Sequence, residues 1–308
     1  MNTTHRLNIE RIKFFLALSR TPHGLLDMAT PAFGALIYLG GFPSLRVVLI
    51  GLLTAFAGYT AVYAANDLID YRSDRKRLNP PDSESAGYLD SILVRHPMAL
   101  GFLTFREGVA WAAGWSIVAI VGAWLLNPIC ALIFLAGAFL ETLYCLLWRV
   151  SPLRAVVSGF VKNMGAIAAL YAVDPHPAPG FMLMLFLCLF FWEIGGQNIP
   201  HDWSDIEEDR RFQAKTIPLR LGEEKSAALS LACILISVFL CLSLFFLRFP
   251  DSRGSALIIA LSVCTFLLLV PGCKLFQTKA REEAMALFNK ASYFPAAMLA
   301  AVLVLLIY

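Results

Sequence analysis

The chain has 308 residues, 58% of them hydrophobic and 15% charged, with a mean hydropathy of +0.68 and a formal net charge of +3. A soluble domain carries about 25% charged residues, so this composition is built for lipid rather than water. The small, dispersed positive charge excludes a nucleic-acid-binding surface, and seven cysteines set singly in apolar runs exclude a disulfide framework or a Cys-based metal cluster.

Residues 1–20 read as a basic, amphipathic lead-in and not as a cleavable signal. About 20 mostly apolar residues are needed to cross a bilayer. Nine stretches qualify: 22–40, 44–65, 99–125, 128–148, 153–173, 180–199, 226–247, 254–273 and 291–308. The first is the least uniform, because it contains Pro22, His23, Asp27 and Pro31. Turn chemistry separates the rest, at Gly40-Gly41-Phe42-Pro43, Asn127-Pro128, Asp174-Pro175-His176-Pro177 and Phe249-Pro250-Asp251. The expected architecture is an all-α bundle of nine transmembrane helices around a central cavity, a single domain over residues 1–308 with cytoplasmic cap segments.

Lysine and arginine set the expected orientation. With the N-terminus in the cytoplasm, the inner loops receive Arg72, Arg75, Lys76, Arg77, Arg95, Arg149, Arg154, Arg210, Arg211, Lys215 and the basic residues near 274–290. The outer loops receive only Arg46, Arg248 and Arg253.

Two acidic motifs follow the second and sixth stretches. Residues 66–74 hold Asn66, Asp67, Asp70 and Asp74, and residues 202–209 hold Asp202, Asp205 and Asp209, both in the pattern DxxDxxxD. On a continuous helix, offsets of three and seven return to nearly one face. Four spans separate the motifs, an even number, so both lie on the cytoplasmic side. Clustered carboxylates repel one another and resist ionisation unless a cation neutralises them. Hard divalent ions accept oxygen ligands, and Mg²⁺ binds through a few carboxylates together with substrate phosphate. The pattern therefore points to a two-metal diphosphate site.

Ionisable groups inside spans are costly and tend to line a cavity. Asp27, Glu141, Lys162 with Asn163, and Glu193 with Gln197 and Asn198 are of this kind. Glu193, Gln197 and Asn198 lead down the sixth helix to Asp202 and are candidate acceptor contacts.

At these motifs the chain resembles the UbiA superfamily of intramembrane prenyltransferases. The resemblance rests on Asn66–Asp74 as the first motif, Asp202–Asp209 as the second, Thr216-Ile217-Pro218-Leu219-Arg220-Leu221-Gly222 behind it, and Arg95-His96-Pro97 with Gly101 before the third span. Two features depart from the family pattern: the stretch 75–94 is long, and His201 precedes Asp202 where an Asn is usual. The resemblance implies Mg²⁺-dependent transfer of an isoprenyl group from an allylic diphosphate to a lipophilic acceptor in the membrane, here expected to be a bacterial inner membrane. Two Mg²⁺ ions would be held by Asn66, Asp67, Asp70 and Asp74 on one side and Asp202, Asp205 and Asp209 on the other. Asp70, Asp205 and Lys215 are the expected catalytic groups, and Arg95, Arg149 and Arg154 are further diphosphate contacts. Tyr144, with Tyr63, Tyr71 and Trp203, supplies aromatic faces near an allylic cation.

The expected acceptor is an aromatic quinone precursor such as a hydroxybenzoate. A non-aromatic lipid or a tetrapyrrole is the alternative. A divalent cation transporter would place acids at mid-span, and here they sit at span ends. A CDP-alcohol phosphotransferase needs Asp-Gly and Ala-Arg inside its motif, which neither motif has.

Overall fold

The structure is a computed structural model that describes residues 3–77, 93–94 and 96–307, without the side chains of 3–10, 73, 74, 76 and 77. Every described element is helical. In chain order the helices are α1 (Thr3–Leu18), α2 (Thr21–Asp27), α3 (Ala29–Leu39), α4 (Leu45–Arg77), α5 (Phe105–Leu126), α6 (Pro128–Leu147), α7 (Arg154–Val173) and α8 (Pro179–Trp192). A π-helical segment, Glu193–Asn198, leads into α9 (Ile199–Ser204), α10 (Ile206–Arg211), α11 (Ile217–Arg248) and α12 (Arg253–Cys264). A second π-helical segment, Thr265–Leu269, leads into α13 (Val270–Thr278), α14 (Arg281–Ser292) and α15 (Phe294–Ile307).

Among the described residues, eight helical stretches are long and apolar enough to cross a membrane. The expectation of nine is not met because residues 22–40 form two short helices that meet at Met28. Pro31 gives the reason: it has no N–H to offer the carbonyl of Asp27, so the helix breaks one turn upstream. Several spans are longer than their apolar cores. Helix α4 runs through the first motif without a break, and α11 begins at Ile217, with a kink at Gly222 (φ 78°) that a side chain would strain.

Helix ends follow local chemistry. Thr104 and Glu107 form a reciprocal capping box on α5. Asn127 caps α6 by accepting from the Ile129 N–H at 2.9 Å, and Pro128 opens that helix. Gly40 closes α3 at φ 59°.

Both π-helical segments lie just upstream of a proline, Pro200 or Pro271. Widening the turn accommodates the missing N–H and the ring. Pro295 likewise leaves the carbonyl of Ala291 without its helical donor, and Trp192 Nε1 donates to it at 3.0 Å.

Helices α4 to α8 pack in sequence, α8 packs on α11, α11 on α12, α12 on α15, α15 on α3, and α3 on α7. The main core, containing Phe33, Leu189, Trp192, Trp203, Phe245 and Phe294, lies among α3, α8, α9, α11 and α15. A smaller one, with Leu18, Ala64, Met98 and Leu103, secures α1 and the 96–103 turn against α4 and α5. Large apolar side chains such as Ile117, Trp124, Phe139, Phe239 and Ile258 face outward. Such a surface suits lipid and would be unsustainable in water.

Candidate active site

Inside the ring of helices lies a cavity of about 1170 Å³, counting its open mouth. Asn66 and Asp67 of α4 line one side, and Asn198 and His201 line the other, so residues of or beside both acidic motifs border one space.

The first motif continues α4, as its spacing predicts. Asp67 is buried and lies 3.9 Å from Arg20 Nη2 and 3.3 Å from His96 Nδ1. Arg20 and His96 both hold left-handed backbone, at φ 44° and 51°, a strained state for a residue with a side chain. Asn66 donates from Nδ2 to Glu141 Oε1 at 2.6 Å and accepts from Cys145 Sγ at 3.5 Å. Asp70 is half-buried one turn on. The Asp74 side chain and the whole of Arg95 lie outside the described residues, as do residues 78–92 of the 75–94 stretch.

The second motif does not follow one helix, contrary to the expectation from its spacing. Helix α9 ends at Ser204, and Asp205 sits at φ −102°, ψ 14° between two short helices. Ser204 is where the helical bonding is disturbed. Its hydroxyl donates to the His201 carbonyl at 2.7 Å, and its own carbonyl accepts from Arg281 Nε at 2.5 Å. Asp202 and Asp209 are nevertheless both buried, while Asp205 is half-buried, 3.8 Å from His201.

Asp202 Oδ1 lies 3.8 Å from Arg154 Nη2, and Asp209 Oδ1 accepts from Trp148 Nε1 at 3.0 Å. The second oxygen of each, Oδ2, is buried and has no hydrogen-bond donor. Burial, reinforced by the Asp202 charge, pushes the Asp209 carboxyl up to about 6.

The expected basic residues separate on inspection. Arg154 is buried, donates to the Tyr144 hydroxyl and lies over the Tyr144 ring at 4.4 Å, which joins two expected site residues to Asp202. Asn198 Nδ2 also reaches the Tyr144 hydroxyl, at 3.4 Å. Arg149 is exposed and stacks on Trp148 and Phe212 rather than reaching a carboxylate. Lys215 is half-buried beside this group, its backbone N–H donating to the Trp148 carbonyl at 2.9 Å. Tyr71 packs on Phe105 and Trp203 is core, so neither fits the expected aromatic role.

Deeper in the cavity, Lys162 Nζ lies 2.7 Å from Asp27 Oδ2 and 3.3 Å from the Tyr63 hydroxyl, and Tyr63 donates to Asp27. Glu193 is only 3% exposed and accepts from Ser158 Oγ at 2.5 Å. Gln197 is committed to α14, donating to the Phe288 carbonyl at 3.1 Å and accepting from Ser292 at 3.3 Å. Sequence reasoning missed Arg20, His96, Trp148 and Ser158 as parts of the site. Arg20 and His96 precede prolines or lie in a turn, and nothing in their spacing marks them as partners of Asp67.

Among the described residues no three His, Cys, Asp or Glu side chains converge into a ready metal cage. The donor set still fits Mg²⁺. All candidate ligands are oxygens, two buried carboxylate oxygens lack donors, and Mg²⁺ commonly completes its shell with water and substrate phosphate.

Two relatives and one solved structure bear on this arrangement. A digeranylgeranylglyceryl phosphate synthase of Thermococcus kodakarensis is 25% identical over 215 residues, 70% of this chain and 71% of the relative. A 4-hydroxybenzoate octaprenyltransferase of Aromatoleum aromaticum is 26% identical over 224 residues, 72% of this chain and 71% of the relative. A UbiA homolog from Archaeoglobus fulgidus, solved bound to DMAPP and Mg²⁺, has the same fold, with a TM-score of 0.66, 19% identity, and coverage of 94% of this chain and 99% of that one. Residues 28–299 match the model of the UbiA prenyltransferase family, and the chain belongs to that family as a membrane prenyltransferase.

Proposed function

We propose that this chain transfers an isoprenyl group from an allylic diphosphate to a hydroxyl of a glycerol lipid. The observation that carries the reading is the pair of buried, donor-less oxygens on Asp202 and Asp209, in a motif that starts directly after His201, which borders the same cavity as Asn66 and Asp67. The expected aromatic acceptor gives way to the lipid alternative, which the Thermococcus relative supports by name. That name describes two geranylgeranyl chains on one glyceryl phosphate, so the last chain added must go to a glycerol hydroxyl.

Asn66, Asp67, Asp70 and Asp74, with Asp202, Asp205 and Asp209, are the residues that would hold two Mg²⁺ ions. Bound there, Mg²⁺ supplies positive charge to the leaving diphosphate. Arg154 sits beside Asp202 and adds a fixed guanidinium on the same side. Arg20 and His96 hold Asp67 in place. The enclosing helices exclude bulk water from the reacting carbon, and the Tyr144 and Tyr63 rings border the space where positive charge develops. The Lys/Arg distribution supports an active site on the cytoplasmic side.

The test is incubation of the purified protein with Mg²⁺ and geranylgeranyl diphosphate, offering geranylgeranylglyceryl phosphate or 4-hydroxybenzoate. The expected result is Mg²⁺-dependent prenylation of the glycerol lipid. Prenylation of hydroxybenzoate alone would restore the aromatic reading, and no transfer to either would contradict the proposal.

A further inference from the structure

We infer that Glu193 is the group that takes the acceptor's hydroxyl proton. This rests on the prenyl-transfer reading above and adds to it a residue and a proton path. Glu193 lines the cavity and is almost fully buried, yet only one of its oxygens is used. Oε1 accepts from Ser158 Oγ at 2.5 Å, while Oε2 has no hydrogen-bond donor. Leaving a carboxylate oxygen buried and unsatisfied costs a protein stability, so a buried orphan oxygen on a cavity wall calls for a ligand donor.

The surrounding groups narrow what that donor is. Lys162 is engaged by Asp27 and Tyr63, and the amide of Gln197 is committed to α14. Glu141, the other cavity carboxylate on this side, is bound to Asn66 of the first motif. The unused oxygen of Glu193 therefore presents a hydrogen-bond acceptor, which suits an incoming O–H.

Position agrees with this role. Glu193 lies nine residues before Asp202, roughly 13 Å along a helix, too far to join the motif's ligands. That depth leaves space for a diphosphate near Asp202, the allylic carbon beneath it and a hydroxyl between that carbon and Glu193. The wide π-helical turn that begins at Glu193 sets this orientation. Gly195 allows the turn to press on α11, because a Cβ there would lie 2.6 Å from the Ser230 carbonyl oxygen.

The step balances without any further reagent. The acceptor's O–H bond breaks and its proton passes to Glu193 Oε2. The hydroxyl oxygen forms an ether bond to the allylic carbon, and the carbon–oxygen bond to diphosphate breaks with its electron pair leaving on diphosphate. The proton then leaves Glu193 through the open mouth of the cavity.

Glu193→Gln keeps the size of the side chain and an oxygen for Ser158 but removes the base, and Glu193→Ala opens room for an added one. With geranylgeranylglyceryl phosphate as probe, E193Q is expected to lower kcat by ~10²-fold or more. Its Mg²⁺-dependent binding of geranylgeranyl thiolodiphosphate, an unreactive donor analogue, should stay near that of the wild type. Added formate should restore transfer in E193A, a readout that a structural role would not move. Retained kcat in E193Q, a loss of analogue binding matching the loss of activity, or a folded E193A deaf to formate would each overturn the inference while leaving prenyl transfer intact. A wild type that neither binds the analogue nor prenylates the probe would instead contradict the function beneath it.

Discussion

Asp202 and Asp67 are buried aspartates, one from each motif, proposed here as Mg²⁺ ligands. Each is buried beside a cation, Arg154 for Asp202 and Arg20 for Asp67. Replacing either by Asn keeps the shape and removes the charge. Asp202→Asn is expected to reduce kcat/KM by ~10²-fold or more, measured by product formation at saturating Mg²⁺, with little change in thermal unfolding. Asp209 carries a pH signature. Its carboxyl is raised to about 6 by burial, so the folded protein without metal holds the proton more tightly than the unfolded chain does. That contribution to stability is complete below about pH 4 and is lost as pH rises through about 6, whereas Mg²⁺ favours the ionised form. The Tm gain on adding Mg²⁺ should therefore grow between pH 5 and pH 7, and Asp209→Asn should flatten the trend in a thermal unfolding series. The aspartates stood out in the sequence because the same spacing repeats at two span ends. Arg20 and His96 did not, because they reach Asp67 through backbone turns that no local pattern encodes.

At the scale of elements, proline and glycine decide where helices depart from regularity. Pro31, Pro200, Pro271 and Pro295 each lie at or just after a break or a π-helical turn. The turn at Glu193–Asn198 bears on function, since Glu193, Gln197 and Asn198 all line the cavity. Gly195→Ala should force this turn from α11, costing roughly 1–3 kcal/mol of stability. Transfer activity should fall further than that loss alone explains, as thermal unfolding and activity on the same sample would reveal. The hydropathy pattern located the spans but not these breaks, because a window-averaged hydropathy does not register the N–H that a proline lacks. Motif two illustrates the same limit: its spacing matches motif one, yet the chain bends at Asp205 because Arg281, distant in sequence, binds the Ser204 carbonyl.

At the scale of the molecule, the membrane class followed from composition, since 15% charged residues lies well below the roughly 25% of a soluble domain. The helical bundle followed from the length of the apolar stretches. The count of nine spans is not confirmed: eight described helical stretches are long and apolar enough, and the remaining stretch is split into α2 and α3. That the two motifs end up on one side was legible only as a parity argument: an even number of intervening spans returns the chain to the same side. The fold adds that Asn66, Asp67, Asn198 and His201 line a single cavity. The most direct test of that joint site is a double-mutant cycle on Mg²⁺-dependent binding of geranylgeranyl thiolodiphosphate, using Asp67→Asn, Asp202→Asn and the pair. One shared site predicts that each single substitution weakens binding nearly as much as both together. Independent, additive losses, or a motif whose substitution leaves binding unchanged, would contradict it.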